Sequence, residues 1–400
     1  MCGFAGFLTG SALAADAARA QATAMADAIR HRGPDDAGVW VDAPAGLALS
    51  HRRLAIVDLS AAGHQPMASA SGRWVIAFNG EIYNHLSLRA ELGSAAPAWR
   101  GHSDTETLLA SFEHWGVHDT LRRCVGMFAL ALWDKHARAL HLARDRFGEK
   151  PLYYGWVEGA GAGAVFAFGS ELKALRALPG FGNAVCRQAL AQYLRLQYVP
   201  APRSIHRGLY KLEPGSVLTL QGAPPPAAPA QPLRPGQAHG SVALARWWQP
   251  AAMVDMGAAQ PLRSEQAAVQ ALHDALDEAV RLQSLADVPL GAFLSGGVDS
   301  STIVALMQQQ ARAEGRAPVQ TFTIGFDAPA FDESPHARAV AQYLGTQHHE
   351  MRVTAADARA HPGAAADVRR ALCRQLADPH APGVPRGAPA GDGGAERRRG

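Results

Sequence analysis

The chain has 400 residues, 48% of them hydrophobic and 18% charged, with a formal net charge of +3. This composition favours a globular protein of two or three domains and argues against whole-chain disorder, and the absence of basic runs mixed with aromatics argues against a nucleic-acid partner. Four scattered cysteines without a Cys-X-X-Cys pair argue against a disulfide framework and a zinc site, and no long uncharged apolar run predicts a membrane span, so we expect a cytoplasmic protein.

Cys2 is the first candidate functional residue along the chain. Removal of Met1 would give Cys2 both a thiol and a free α-amine, and an α-amine, whose pKa is ordinarily about 7.7 to 8.0, can act as the base for its own side chain. A small buried residue near a chain end is the commoner role for such a cysteine. The apolar start also lacks the basic region of a signal peptide, and we expect Cys2 to be retained.

Short apolar runs bounded by glycine or polar residues predict buried strands at 74–78, 127–133 and 165–168. Helices are expected at 16–29 and 104–115, the second with Ser103 as its N-cap and Glu106 at capping-box spacing. Strands covered by helices on an α+β plan are the predicted result.

Polar clusters separate these elements, at 31–36, 51–54, 78–84 and 101–104. Each alone is ordinary turn chemistry, and Asn79-Gly80 by itself is a hairpin signal. Together with Cys2, their order and content resemble the glutaminase domain of class II, N-terminal-nucleophile glutamine amidotransferases over residues 2 to about 205. The resemblance implies a layered α/β/β/α sandwich of antiparallel sheets.

The resemblance also implies roles for the residues of these clusters. Cys2 would attack the side-chain amide of glutamine, and the Asn79 side chain with the Gly80 N–H would receive the developing oxyanion.

The α-carboxylate and α-ammonium of a zwitterionic substrate such as glutamine need a cationic and an anionic partner, respectively. Arg53 matches the family position that binds the α-carboxylate, with Arg52 as the alternative, while Asp104 and Glu81 match the groups that receive the α-ammonium.

The segments 143–154 and 169–173 resemble the asparagine synthetase branch of these enzymes; without the resemblance, the first is a charged loop with Arg144 and Asp145 paired at the surface. Residues 200–216 resemble an interdomain connection. The Ala- and Pro-rich stretch 222–240 is expected to be an extended, mobile surface spacer.

A second motif begins after a helix expected at 264–284. An apolar strand runs into Ser295-Gly296-Gly297 and then a helix, whose free N–H groups form an anion site, and the string resembles the pyrophosphate loop of ATP pyrophosphatases. The ATP-binding candidates are Leu294, Ser295, Gly296, Gly297, Asp299, Ser300 and Ile324.

No metal ligand is certain, although Asp299 is a candidate for orienting the loop or Mg²⁺. A parallel strand is expected at 319–326 and a helix at 334–344. His348-His349 has no further ligand spacing and is interpreted as a strand-edge feature.

After about residue 355 the sequence is dominated by Ala, Arg, Pro and Gly, which indicates either a disordered tail or a shifted reading frame. Residues 367–373 and 391–400 can each be written in codons that, read one base later, give the family's acidic motif and its second glycine loop. We therefore expect a shift from about residue 358, which leaves the visible glycines at 391–394 without a role.

Four segments are predicted: a glutamine amidotransferase domain (1–205), a connecting hairpin with an insertion (206–262), the N-terminal part of an ATP-pyrophosphatase-like asparagine synthetase domain with a parallel sheet (263–357), and an aberrant tail (358–400). The resemblance implies glutamine, aspartate and ATP as substrates, Mg²⁺ as a cofactor, and a homodimer as one option for assembly. It implies transfer of ammonia from glutamine to ATP-activated aspartate. Because the acidic motif and the second glycine loop are absent as readable sequence, we expect this chain to retain only the glutaminase half.

Three alternatives stay open. The acceptor could be another carboxylate, such as a sugar acid in polysaccharide assembly; the chain could be an inactive product that only binds glutamine; or the Ser-Gly-Gly loop could belong to a nucleic-acid-modifying pyrophosphatase, which the glutaminase motifs disfavour.

Overall fold

The computed structural model describes residues 2–157, 165–327 and 329–354. The chain divides into two compact units, residues 1–262 and 263–400. Both motifs expected from the shifted frame, at 367–373 and 391–400, lie outside the described residues.

Thirteen strands are described in the first unit. They are β1 (Gly3–Leu8), β2 (Asp36–Asp42), β3 (Leu47–Arg53), β4 (Met67–Ala68), β5 (Trp74–Ile82), β6 (Gly126–Asp134), β7 (Ala139–Arg144), β8 (Tyr153–Val157), β9 (Val165–Gly169), β10 (Leu209–Lys211), β11 (Ser216–Gln221), β12 (Ala238–His239) and β13 (Val242–Arg246). One sheet has the order β10-β8-β9-β1-β3-β2 and the other the order β12-β13-β11-β7-β6-β5-β4, and every strand pairing in both is antiparallel.

The helices described in this unit are α1 (Ala15–Asp27), α2 (His85–Leu92), α3 (Asp104–Arg123), α4 (Leu172–Arg176), α5 (Arg187–Leu196) and α6 (Pro250–Ala259). Short 3₁₀ turns lie at Arg30–Arg32, Ala61–Gly63 and Gly93–Ala95.

Three apolar cores hold these elements together. One lies between the two sheets, a second between the β5–β6 face and helices α2 and α3, and a third between the β1–β3–β9 face and helices α1 and α4. Successive strand side chains point to opposite faces, so Ala129 belongs to the first core and Leu130 to the second. Burial on both faces explains why these strands are continuous apolar runs.

Helix α3 is longer than the predicted 104–115. The Ser103 hydroxyl accepts a hydrogen bond from the Glu106 N–H at 3.3 Å, which confirms the predicted N-cap. The Glu106 carboxylate instead accepts from the main-chain N–H groups of Arg100 (2.9 Å) and Gly101 (3.1 Å). At Gly116 the φ angle of 73° interrupts the helix.

The first unit continues beyond residue 205, to Leu262. Strand β10 pairs with β8, and β11 lies between β7 and β13, so residues expected to connect two domains complete the two sheets instead.

The stretch 222–240 is not the free spacer that was expected, and that prediction is wrong. The carbonyl of Pro225 accepts a hydrogen bond from the Trp156 indole at 2.8 Å, and that of Pro229 accepts from the Tyr210 hydroxyl at 3.1 Å. Leu233 is buried in the core between the sheets. Buried aromatic donors need acceptors, and this segment supplies them.

The second unit contains β14 (Gly291–Phe293), β15 (Gln320–Phe326), β16 (Gln347–Val353), α7 (Glu265–Gln283), α8 (Val298–Ala313), α9 (Ser334–Leu344) and a 3₁₀ turn at Pro329–Phe331. The three strands form a parallel sheet in the order β14-β15-β16 with α8 and α9 as the crossovers, which confirms the predicted parallel strand at 319–326. His348 and His349 lie on the edge strand of this described sheet, as predicted.

None of the helices that the structure describes is long and apolar enough to span a bilayer.

Candidate functional site

A cavity of about 150 Å³ in the first unit brings together all six residues predicted for the glutaminase chemistry. They are Cys2, Arg53, Asn79, Gly80, Glu81 and Asp104. Four separate elements supply them: the start of the chain, the end of β3, the second half of β5 and the first turn of α3.

The incomplete pairing of β5 creates one wall of this cavity. Strand β4 is only two residues long and pairs with Ile76 and Val75, so among the described residues no strand pairs with the rest of β5 on that side. The N–H of Phe78 donates to the Gln65 side-chain oxygen at 2.7 Å, and the Phe78 carbonyl accepts from the His51 ring at 2.9 Å. Side chains therefore satisfy this part of the open edge.

Farther along the same edge, the N–H of Ile82 donates to the Asp104 carboxylate at 2.9 Å. Main-chain groups alternate in direction along a strand, so the N–H of Gly80 faces the same edge as those of Phe78 and Ile82. Gly80 lines the cavity, and its N–H is available as a donor to a ligand there.

The Asn79 side chain is 1% exposed, and its Nδ2 has no hydrogen-bond partner in the described part of the chain. An unsatisfied buried amide is costly, and native structures keep one chiefly where a ligand or a functional role accounts for it. The Asn79 amide is therefore a second hydrogen-bond donor, beside the Gly80 N–H, for a ligand in this cavity.

Two carboxylates, those of Glu81 and Asp104, line the cavity. Burial raises the pKa of Asp104 to about 6, even though the N–H groups of Ile82 and Thr105 donate to its carboxylate. Burial, with the nearby Asp104 charge, raises the pKa of Glu81 to about 7. Both groups would be stabilised in their ionised form by a bound cation.

Arg53 and Arg52 point to opposite faces of β3. Arg53 lines the cavity, and its guanidinium donates to the main-chain carbonyls of Ser60, at 3.1 Å, and Asp58. Arg52 forms an ion pair with Asp27 on helix α1. Of the two arginines that the sequence offered, only Arg53 is in position to contact a ligand in the cavity.

Cys2 lies against the strand end at Leu54. The thiol is 3.3 Å from the Leu54 N–H, which donates to it, and burial raises the thiol pKa. Arg32 donates to the Cys2 carbonyl at 2.8 Å and pairs with Glu171 at 3.0 Å. The clusters at 31–36 and 169–173 therefore meet beside Cys2 and fix its main chain.

The sequence did not single out Gln65 and Lys150, which also line the cavity. Burial lowers the pKa of Lys150, whose side chain lies near Glu81. Gln65 comes from a segment without a motif, and only the fold brings it to β5.

The interpretation of Arg144 and Asp145 as a surface pair is wrong. Asp145 is fully buried, and its carboxylate accepts from four main-chain N–H groups, those of Phe128, Phe147, Glu149 and Lys150, at 3.0 to 3.1 Å. Arg144 donates to main-chain carbonyls, including that of Lys150 at 2.7 Å. The pair holds the loop that carries Lys150 into the cavity wall.

In the second unit the predicted anion loop lies between β14 and α8. The Ser295 hydroxyl is 2.9 Å from that of Ser300, and the N–H of Gly297 donates to the Ser295 hydroxyl at 3.3 Å. Gly296 has a φ of 82°, and an added Cβ would lie 2.8 Å from the main chain of His336 and Ala337. A glycine is required at Gly296.

The remaining ATP-binding candidates differ in exposure. Leu294 is buried in the small core of this unit, and its N–H donates to the Phe322 carbonyl at 2.9 Å at the end of the strand. Ile324 lies half-buried on β15, and Asp299 is exposed in the first turn of α8. No group of three or more potential metal ligands occurs among the described residues.

A glutamine amidotransferase domain model matches residues 1–225, more than half of the chain. The chain belongs to the glutamine amidotransferase family. An asparagine synthase model matches residues 271–382, which extends beyond the boundary predicted at residue 357.

Curated relatives of this family member agree with both matches. A Mycobacterium tuberculosis protein provisionally named as a glutamine-hydrolyzing asparagine synthetase is 39% identical over 87% of this chain and 51% of its own length. Bacillus subtilis glutamine-hydrolyzing asparagine synthetase 1 is 33% identical over 87% and 49%. A Penicillium rubens protein named amidase chyE is 31% identical over 88% and 51%. The chain spans about half the length of these relatives.

Proposed function

We propose that the first unit hydrolyses the side-chain amide of glutamine, with Cys2 as the nucleophile. The observation that carries this proposal is the cavity itself: among the described residues, a thiol shares it with an unpartnered amide donor, Asn79, and the lining includes both cationic and acidic side chains. An amino acid with a side-chain amide is complementary to this arrangement of charges and donors.

The substrate would be held at its α-carbon by opposite charges. Arg53 would bind the α-carboxylate, and Glu81 with Asp104 would bind the α-ammonium. The ammonium would keep both carboxylates ionised, although burial alone raises their pKa values. Binding at this end would place the side-chain amide near the thiol.

The reaction would follow from removal of Met1. The α-amine of Cys2 would take the thiol proton as sulfur attacks the amide carbon, and the resulting oxyanion would accept hydrogen bonds from Asn79 and the Gly80 N–H. The amine would return the proton to the leaving nitrogen, releasing ammonia and a glutamyl thioester. Water would then hydrolyse the thioester to glutamate.

We propose that the ammonia is used in ATP-dependent amide synthesis at a site to which the second unit contributes. The Ser295–Gly297 turn and the N-terminus of α8 would bind the β- and γ-phosphates of ATP. The β-carboxylate of aspartate would attack the α-phosphorus, which would form aspartyl-AMP and release pyrophosphate. Ammonia would displace AMP to give asparagine. The support is the asparagine synthase match and the local geometry of the loop.

Magnesium would accompany ATP. One exposed carboxylate, Asp299, is not a complete site, and Mg²⁺ is commonly bound by one or two carboxylates together with substrate phosphates. Mg²⁺ bound in this way would neutralise phosphate charge.

We also propose a fold family for each of the two units. The two helical faces and two packed sheets would be the α/β/β/α sandwich of N-terminal-nucleophile hydrolases, and the second unit would be part of an ATP-pyrophosphatase-like domain. We also propose cytoplasmic location, homodimeric assembly, and a shifted reading frame from about residue 358.

The glutaminase proposal is tested by glutamate release from glutamine by the 400-residue chain and by Cys2→Ala and Cys186→Ala variants. We expect release by the wild type and by Cys186→Ala, whose half-buried thiol lies outside the cavity lining, and none above background by Cys2→Ala. Release no higher than background by all three proteins, the wild type included, would favour a protein that only binds glutamine, and equal release above background with and without Cys2 would contradict the role of Cys2.

A second acceptor is favoured by the relative named as an amidase. In that case ATP would activate a carboxylate other than that of aspartate, for example that of a sugar acid. Pyrophosphate release measured with aspartate and with a panel of sugar acids, using the chain and a version with the reading frame restored, separates the two acceptors. We expect aspartate-dependent release only with the restored frame.

A further inference from the structure

We propose that His51, together with Gln65, is a positioning residue for the oxyanion donors: the two side chains take the place of a neighbouring strand along the open edge of β5. This inference rests on the proposed glutaminase function. It assigns a role to two residues that contact the strand carrying Asn79 and Gly80.

The contacts converge on a single residue. Phe78 donates its N–H to Gln65 Oε1 at 2.7 Å and accepts at its carbonyl from His51 Nε2 at 2.9 Å. A neighbouring antiparallel strand would make the same pair of bonds to Phe78. Strand β4 pairs no farther along β5 than Ile76, so the side-chain bonds begin where its pairing ends.

The two side chains come from different parts of the fold. His51 lies on β3 in the first sheet and on the same face as Arg53, because residues two apart along a strand share a face. Its bond to Phe78 therefore joins the strand that carries Arg53 to the strand that carries Asn79. Gln65 also donates to the Thr105 hydroxyl at 3.3 Å, which joins Phe78 to the first turn of α3.

The Phe78 carbonyl determines which nitrogen of the His51 ring carries the proton. A carbonyl only accepts, so Nε2 must carry the proton, and Nδ1 is then the acceptor nitrogen. Among the described residues Nδ1 is buried without a partner, and His51 is 0% exposed. Burial lowers the pKa of His51 to about 4, which keeps the ring neutral in this role. Burial of the unpartnered Nδ1 costs free energy that an apolar residue at position 51 would avoid. We infer that histidine is kept at this position for the hydrogen bond that its Nε2–H donates to Phe78.

The bond acts on the peptide group that joins Phe78 to Asn79. Rotation of this peptide would swing the Asn79 side chain and change the direction of the next N–H, that of Gly80. Oxyanion donors must lie within about 2.7 to 3.1 Å of the developing charge, and a displacement of about 1 Å can cost 10²-fold in rate. Loss of the hydrogen bond to the Phe78 carbonyl should therefore lower kcat, while the binding of the α-carboxylate and α-ammonium of glutamine should not change.

The test compares His51→Gln with His51→Met. Glutamine carries an N–H donor the same number of bonds from Cβ as His51 Nε2, and methionine has a similar length without a donor. Rates of glutamine hydrolysis are expressed per Cys2 that is labelled by an electrophilic glutamine analogue, which counts only sites that bind glutamine and so removes the effect of unfolded protein. We expect His51→Met to lower kcat at least tenfold with less than a twofold change in KM, and His51→Gln to stay within about threefold of wild type.

Gln65→Met provides an independent variant in case His51→Met does not fold, and it should show the same kcat loss. A purely structural role for His51 would lower the melting temperature without lowering kcat per reactive Cys2, and that result would overturn the inference. Absence of glutaminase activity in the wild type would contradict the proposed function instead, so the two failures are distinguishable.

Discussion

The two units present their candidate sites differently. In the first unit the functional side chains are buried and held by contacts between distant elements: Asn79 is 1% exposed, and Asp104 is 7% exposed. In the second unit the anion loop is held by a short local network, and Val298 at the start of α8 is 83% exposed. Burial strengthens charge interactions and shifts pKa values, whereas an exposed loop depends on main-chain geometry.

This difference predicts that single side-chain changes should have large effects in the first site and small ones in the second. Asn79→Ala removes one oxyanion donor, and we expect kcat for glutamine hydrolysis to fall about 10²- to 10³-fold with little change in KM. Asn84→Ala is the control, since its amide bonds to the main chain of Arg123 and Val125, away from the cavity lining. Equal losses in the two variants would contradict the role of Asn79.

Arg53 and Arg52 are neighbours in the first unit, and their substitution separates a residue that lines the cavity from one that does not. Arg53→Met should raise KM for glutamine about 10- to 100-fold, because it removes a charged partner of the α-carboxylate. Arg52→Met removes the ion pair with Asp27 and a hydrogen bond to the Ala26 carbonyl, both outside the cavity, and we expect KM within about twofold of wild type. Steady-state kinetics of both variants decide between the two arginines, and a reversed pattern would make Arg52 the ligand.

The buried carboxylates predict a pH dependence. Glu81 and Asp104, with pKa values of about 7 and about 6, lose their charge as the pH falls. An ammonium group is then bound less well, so we expect KM for glutamine to rise about tenfold between pH 8 and pH 6. A KM independent of pH in this range would contradict the assignment of the ammonium site.

The raised pKa of Asp104 also makes the stability of the protein depend on pH. The folded state holds the Asp104 proton to a higher pH than the unfolded state does, so the free energy of unfolding falls as the pH rises from about 4 to about 6. Asp104→Asn removes this penalty, and we expect its melting temperature at pH 8 to rise by about 2 to 4 °C while glutamine affinity falls. A lower melting temperature would show that the lost hydrogen bonds outweigh the charge.

The smallest effect is expected in the second unit. Gly296→Ala places a Cβ 2.8 Å from the main chain of His336 and Ala337, whereas Gly315→Ala, also at positive φ, places it in open space. Both variants bear the strain of φ above zero, so the difference between them reports the crowding of the loop. We expect Gly296→Ala to weaken ATP binding several-fold more than Gly315→Ala, as measured by calorimetry. Equal affinities would show that the loop does not contact the nucleotide.

The cavity residues were predicted through the resemblance to a glutaminase domain, since each polar cluster alone is ordinary turn chemistry. Features set by local chemistry were predicted without it. Ser103 as an N-cap and the Ser-Gly-Gly turn are properties of a few neighbouring residues, and both are present in the structure. The roles of Gln65 and His51 were not predicted, because each bonds to Phe78 across a long separation along the chain. The packing of 222–240 was missed for the same reason, since its acceptors serve Trp156 and Tyr210 elsewhere in the fold.

Mass spectrometry of protein acid-quenched during glutamine turnover is the most direct test of Cys2 as the nucleophile of a glutaminase. We predict that Met1 is absent and that a glutamyl thioester maps to Cys2 and disappears in the Cys2→Ala variant. Turnover with no adduct on Cys2, or with an adduct on Cys124 or Cys186, would contradict the account.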